Sequence, residues 1–330
     1  MTDDADGLSI RVLLIGLCMG SADAVPGVSG GTIALLAGIY DRLIDGITNV
    51  TPDAGVRAVR AIVSLDANGV WAVVEETDAL FLGTLGAGIV AALVVVSRVV
   101  HFAEINYPVA LFGFFFGLIL ASAVVLSRQI SLDTTRHATA AAAGFVVAFA
   151  LSGNVELLAG QSLALTFVAG TVAISAMILP GISGALILVV LGQYTYLTET
   201  LSTFTDALLA LVTGGALARV VDLGTVVAAF LVGAAVGLFT VARVVDRALE
   251  ADRQTTMAFL VALVVGALRA PVNEVSTRDG LAWTNDVLVQ FAVVAAIGAV
   301  LLFALDRYAV DLDLDLDDDA DVDVAVDDAR

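Results

Sequence analysis

Serine and threonine hydroxyls set among glycines, directly after a proline, are the residues in this chain best suited to chemistry. At Pro26-Gly27-Val28-Ser29-Gly30-Gly31-Thr32 one apolar run breaks and another opens. A helix restarting after such a break presents unpaired N–H groups and the positive end of its dipole. That end takes a phosphate or carboxylate without a full positive charge. The glycines let a ligand approach the backbone, and Ser29 and Thr32 add hydroxyl donors. The pattern recurs 154 residues on, Pro26 matching Pro180, as Pro180-Gly181-Ile182-Ser183-Gly184. Gly38/Gly192, Tyr40/Tyr194 and Leu43/Leu197 coincide at the same offset. Ala185 and Leu186 replace Gly31 and Thr32, so the first copy is richer in donors. One Pro-Gly break alone reads as a packing kink; two at matching positions read as a pseudo-symmetric anion site.

Three charges bear on this pattern. Asp23 lies within the apolar segment, where ionisable groups are costly and usually functional. Its counterpart in the copy is Met177, so its task is not duplicated. It is a candidate for coupling to a proton or sodium ion, or for orienting the Pro26 turn; the plainer reading is an N-cap or interface carboxylate. Arg98 and Arg243, at matching ends of two apolar runs, are candidates for guiding an anionic headgroup, and equally for snorkelling anchors. Enzyme chemistry finds little support. His101 and His137 are far apart and make no metal-ligand spacing. No phosphate-binding loop of the Walker type occurs, and no histidine accompanies Ser29 or Ser183 to activate a nucleophile. No metal and no cofactor are expected.

The elements that must carry these residues are membrane helices. Hydrophobic residues make up 59% of the chain, against roughly 45–50% in soluble domains, and the mean hydropathy is +0.99. Several runs approach the roughly 20 apolar residues that cross a bilayer. The expected fold is an all-α polytopic membrane protein of two inverted repeats, each a re-entrant helical hairpin plus about three transmembrane helices. Repeat 1 covers residues 1–160, with a hairpin at 8–44, a surface linker at 45–78 carrying an amphipathic helix, and spanning helices within 79–152. These are 79–100, 107–127 and the short 138–152. Repeat 2 covers 161–305, with a broken hairpin at 161–198, a loop at 197–222, and spans at 223–245, 255–270 and 286–305. Gly83, Gly86, Gly88, Gly113 and Gly117 offer small faces for close helix packing. The aromatic run Phe112, Phe114, Phe115 and Phe116 reads as packing or lipid-facing. The first apolar run follows an acidic start and carries the motif itself, so it does not read as a cleaved signal.

All fifteen basic residues are arginine, against 34 acids, for a net charge of −19. That balance argues against nucleic-acid partners, and the Lys-free, Asp-rich composition resembles that of haloarchaeal proteins. If each hairpin returns to its own side, three crossings per half invert the second half and bring both termini to one face. Eleven arginines then fall on the terminal side and four (Arg98, Arg219, Arg269, Arg278) on the other. The positive-inside rule makes the terminal side cytoplasmic in a multi-pass protein of the cell membrane. Residues 306–330 form an acidic tail expected to be disordered, without the glycine turn of a calcium loop. Cys18, the lone cysteine, reads as a small buried hydrophobe.

Matching helix breaks in two halves of a membrane chain are the sequence sign of a secondary transporter built from repeats. The stretches GLCMGSADAVPGVSGGTIALLAGIYDRLI (16–44), ILPGISGALILVVLGQY (178–194) and YPVALFGFFFGLIL (107–120) resemble the domain-of-unknown-function 368 family, which includes the PopT-type polyprenyl-phosphate translocases. The resemblance covers nearly the whole chain except its acidic ends. It implies return of a polyprenyl or dolichyl monophosphate carrier from the outer to the cytoplasmic leaflet. By position it assigns Asp23, Pro26, Gly27, Ser29, Gly30, Gly31 and Thr32 to the first motif, and Pro180, Gly181, Ser183 and Gly184 to the second. The partners implied are a lipid-linked phosphate, membrane lipids and a coupling H+ or Na+, with the halves rocking about the site. The alternatives are an ion-coupled transporter of a small soluble anion and, from another class, a membrane phosphatase or transferase.

Overall fold

Helices begin and end in this chain where its glycines and prolines allow. In the computed structural model, residues 9–128, 130–153, 161–177, 183–278 and 280–327 are described, and every regular element among them is helical. They fall into two compact units, Met1–Ala22 with Gly30–Val95, and Asp23–Ser29 with Val96–Arg330.

The first unit holds α1 (Ile10–Asp23, to Ala22), α2 (Gly30–Leu36), α3 (Tyr40–Asn49), α4 (Pro52–Val63), α5 (Ala67–Glu76) and the start of α6 (Ala79–Asn106). Its core joins Val12, Met19, Ala34, Ile39, Phe81 and Leu85. Gly16 and Gly20 let α1 lie directly on α6, at Leu85, Gly88 and Ile89, as small residues do between membrane helices. Gly83 and Gly86, in contrast, face open space. Arg42 binds Asp78 through Nε at 2.6 Å and lies over the Phe81 ring. Cys18 is exposed, not buried, on a helix whose Leu14 is exposed too. A lipid-facing helix wall accommodates an apolar thiol as readily as a core does. The linker at 45–78 is not one helix but α4 and α5, with the end of α3 leading in. Thr51 caps α4 by accepting from Ala54 N at 3.2 Å, and Pro52 stands at its first turn, where its missing N–H costs nothing. Val56, Val59 and Val63 form an exposed apolar stripe on α4.

The second unit contains the rest of α6 and α7 (Pro108–Ser127), α8 (Thr135–Gly153), α9 (Leu163–Met177), α10 (Gly184–Val190), α11 (Tyr194–Leu211), α12 (Leu217–Phe239), α13 (Val241–Ala267), α14 (Arg269–Ser276) and α15 (Asn285–Asp327). Among the described residues five helices are long and apolar enough to cross a membrane: Ala79–Asn106, Pro108–Ser127, Leu217–Leu238, Arg247–Ser276 and Asn285–Tyr308. The stretch expected as a short span at 138–152 is helical in α8 but is not one of the five; Arg136 and His137 shorten its apolar part. The expected loop at 197–222 is mostly the helix α11, because no glycine or proline interrupts it before Gly214. At the other end α15 runs helical to Asp327 through the acidic residues expected to be disordered. No glycine or proline occurs there to stop a helix, whereas the apolar part ends at Tyr308.

The repeat is legible in local geometry. α2 and α10 share their first and last residues at the 154 offset, Gly30/Gly184 and Leu36/Val190. Both end in a Schellman turn. Gly38 N donates to Leu35 O and Ile39 N to Ala34 O; Gly192 N and Gln193 N repeat this with Val189 O and Leu188 O. The turn glycine is left-handed in each, φ +67 at Gly38 and +62 at Gly192. These glycines end α2 and α10 after seven residues each, shorter than the apolar runs imply. The crossing of α1 on α6 also returns as α9 on α12. Gly16 against Leu85 becomes Gly170 against Phe230, and Gly88 against Leu13 becomes Gly233 against Phe167.

A second correspondence, at an offset of 145, relates Ser97-Arg98-Val99-Val100 to Ala242-Arg243-Val244-Val245. The break between α6 and α7 at Tyr107 then matches the kink in α13 at Asp252, where φ −160 and ψ 88 leave the helical region. α7 packs on α15 with Gly298 against the Phe114 carbonyl, while α13 packs on α8 with Gly144 against the Phe259 carbonyl. Phe114 and Phe259 stand 145 residues apart and Gly144 and Gly298 stand 154 apart, so the two crossings have the same glycine-on-carbonyl form. The core around these crossings centres on Ile119, Leu126, Leu186 and Val264 on one side and on Phe112, Phe115, Leu118 and Tyr194 on the other.

Candidate functional site

The first hairpin tip turns because Pro26 ends α1 and Gly27 adopts φ +93, a region that glycine enters without strain. Val28 N closes the turn on Val25 O at 3.3 Å. Pro26, Gly27 and Ser29 are buried. A Cβ on Gly27 would stand 3.1 Å from the Leu118 carbonyl oxygen, and Leu118 lies midway along α7. The tip therefore rests at the middle of a helix of membrane-spanning length.

The second copy grips this tip through two hydroxyls. Ser183 occupies the N-cap position of α10, yet its side chain makes no cap to its own helix. It donates instead to Val25 O at 3.3 Å. Tyr194 Oη donates to Ala24 O at 2.6 Å, with its ring edge-on to Phe115 at 5.4 Å. The two carbonyls that precede Pro26, which a helix break leaves without their usual partners, are thus satisfied from the repeat. Ser183 and Tyr194 are 1% and 4% exposed, so water does not replace these bonds. Ser183 Oγ accepts no cap hydrogen bond from the first N–H groups of α10.

The remaining expected residues are placed as follows. Gly30, Gly31 and Thr32 open α2 in the first unit, Gly30 buried and the other two half-buried. Gly184 is buried at the start of α10. Pro180 and Gly181 lie outside the described residues. Asp23 is the last residue of α1, half-buried. It is not an N-cap, since a carboxylate at a helix C-terminus faces the negative end of the dipole. Arg98 is held by Asp206 and by Thr205 Oγ1 at 3.0 Å. Arg243 falls on the first turn of α13, its side chain outside the described set. No group of three or more metal-ligating side chains occurs among the described residues.

Tyr194 was visible in the sequence only as one of the repeated identities. The pairing of Glu104 with Arg278 spans 174 residues and leaves no local spacing to read.

Comparison with known proteins assigns the chain to a family. A family profile described as undecaprenyl phosphate translocase-like matches residues 19–284. A polyprenyl-phosphate transporter of Vibrio cholerae serotype O1 is 32% identical over 259 residues, covering 78% of this chain and 76% of that protein. A polyprenyl-phosphate transporter of Staphylococcus aureus is 30% identical over 190 residues, covering 54% of this chain and 60% of its own. No solved structure matches. The chain, a multi-pass helical membrane protein with paired Pro-Gly-x-Ser-Gly breaks, belongs to the undecaprenyl phosphate translocase-like family.

Proposed function

We propose that the protein returns a polyprenyl monophosphate carrier, of dolichyl type in a haloarchaeal cell, from the outer to the cytoplasmic leaflet. The observation that carries this reading is the seat of the first tip: Gly27 lies against mid-length of α7 with Ser183 on Val25 O. Glycine-lined helix starts at that depth offer backbone N–H donors to an anionic headgroup where lipid supplies none. Ser29, Gly30, Gly31 and Thr32 make the first motif the richer in donors, and Pro180, Gly181, Ser183 and Gly184 are its counterparts in the second. The polyprenyl chain stays in the hydrocarbon. Both relatives are named for the same substrate class, which favours a lipid phosphate over a soluble anion.

In this reading the second half is inverted, both termini are cytoplasmic in the cell membrane, and α4 lies in the headgroup layer on its valine stripe. An H+ or Na+ gradient drives the cycle, with Asp23 next to the bound phosphate. The deciding experiment is flipping of a labelled polyprenyl monophosphate in high-salt proteoliposomes. Movement that requires the native protein and drops in Ser29→Ala and Thr32→Val supports the reading. A folded protein that moves inorganic phosphate or another soluble anion, but not the lipid, refutes it.

A further inference from the structure

One face of α7 connects the first tip to a group of charges near the end of the helix. Arg278, just past α14, donates from Nη2 to Glu104 Oε1 and from Nη1 to the Glu104 carbonyl, both at 2.7 Å. Its guanidinium stands 5.7 Å from the Phe112 ring. Phe112 meets Phe115 edge-on at 6.3 Å, Phe115 meets Tyr194, and Tyr194 holds Ala24 O. Leu118, one turn further, touches Gly27. Six residues separate Phe112 from Leu118, about 9 Å along the helix axis.

The charges at this end do not balance. Glu104 on α6 and Glu274 on α14 are both half-buried, and the one arginine beside them, Arg278, four residues past Glu274, is bonded to Glu104. Glu274 makes no hydrogen bond or ion pair with another described residue. His101, one turn before Glu104 on α6, and the exposed Glu199 on α11 also face Glu104, and so does Tyr194. Two carboxylates withdrawn from water around one guanidinium leave a negative charge that a proton neutralises at the least desolvation cost.

We propose that Glu104, Glu274 and Arg278 form a proton-binding site whose occupancy sets the hold of Tyr194 on the first hairpin tip. This rests on the transport reading above, and it deepens that reading by naming the coupling ion and its station. When the site is unprotonated, Arg278 is shared between two carboxylates and drawn from its place over Phe112. A proton on Glu274 leaves Arg278 wholly to Glu104. The proton comes from the water at that end of α6 and α14 and returns there or to the opposite side with the cycle; no bond other than O–H forms or breaks. Tyr194 is a positioning residue: it acts on the tip and does not itself carry the proton.

The test uses the full-length protein in two measurements. Infrared difference spectra between alkaline and acid pH, without substrate, are expected to show a protonated carboxyl band that Glu274→Gln removes. Glu274→Gln breaks no hydrogen bond, so it keeps the test interpretable if Glu104→Gln fails to fold. Flipping of polyprenyl monophosphate is then followed against pH. Glu274→Gln is expected to flatten the profile, while Tyr194→Phe lowers turnover about five- to tenfold and leaves half-saturation unchanged. A pH profile identical to native in folded Glu274→Gln, or no carboxyl band sensitive to it, overturns the proposal. The band together with absent lipid transport upholds the proton site and refutes the lipid reading alone.

Discussion

Replacing Gly27 and Gly38 separately by alanine tests whether the first tip is seated by close approach or only by its turn. Both glycines are left-handed, at φ +93 and +67, and an L side chain there costs about 1–2 kcal/mol. Gly38 faces open space, so Gly38→Ala carries that strain and nothing more. At Gly27 the new Cβ meets Leu118 O at 3.1 Å, Leu118 C at 3.2 Å and Ile119 N at 3.4 Å. All three are backbone atoms within a membrane-length helix and cannot swing aside. Overpacking of that kind adds about 1–2 kcal/mol, for a total of about 2–4 kcal/mol. The strained tip also pulls Ala24 and Val25 from Tyr194 and Ser183. Thermal melts in detergent should therefore rank Gly27→Ala well below Gly38→Ala. Flipping at saturating lipid should fall in Gly27→Ala by more than its stability loss explains. A Gly27→Ala protein that melts and transports like Gly38→Ala would refute the seating of the tip on α7.

Two further outcomes follow from charges outside the tip. Arg98 is bound by Asp206 at a partly exposed site, where such pairs contribute about 0–1 kcal/mol. Arg98→Gln should thus alter neither melting nor half-saturation appreciably; a severalfold rise in half-saturation would restore Arg98 as a headgroup guide. At the surface, a hydrogen bond from Arg57 holds the Glu76 carboxylate below its ordinary range. Folding depresses that group, so its contribution is present above the unfolded pKa and lost as pH falls through the folded one. Amide protection factors in α4 and α5, corrected for the intrinsic pH dependence of exchange, should fall on acidification, a step that Glu76→Gln abolishes.

Hydropathy showed the membrane class and most spanning segments because crossing a bilayer demands length and apolarity together, and 107–127 is found as Pro108–Ser127. The 154 offset was equally visible, since Pro26 recurs as Pro180 and Gly38/Gly192 mark left-handed turns that few residues can make. What stayed hidden was pairing. Nothing in the sequence says that Ser183 turns from its own helix to Val25, because a serine at an N-cap ordinarily bonds locally. The partnership of Glu104 with Arg278 depends on how α6 and the end of α14 come together, which no period records. Hydrophobicity also misled at Cys18, since lipid accepts on the outside what a soluble core hides.

The two close helix crossings bear on how such a protein can move. Gly298 lies against Phe114 and Gly144 against Phe259, so α7 is packed closely on α15, and α13 on α8. Rocking of whole halves would open both crossings at once, exposing carbonyls and glycines fitted to each other. Motion of the tips, with α2 and α10, against a static frame of these four helices leaves both crossings intact. The shared form of the crossings then predicts equal damage from Gly144→Val and Gly298→Val, about 1–3 kcal/mol each. In the double variant the two losses should add within about 0.5 kcal/mol. Crosslinks placed across either crossing should leave flipping in place, whereas a crosslink from Val25 to Ser183 should stop it. Transport abolished by a link across α7 and α15 in a folded protein would sink the static frame and return the motion to the halves.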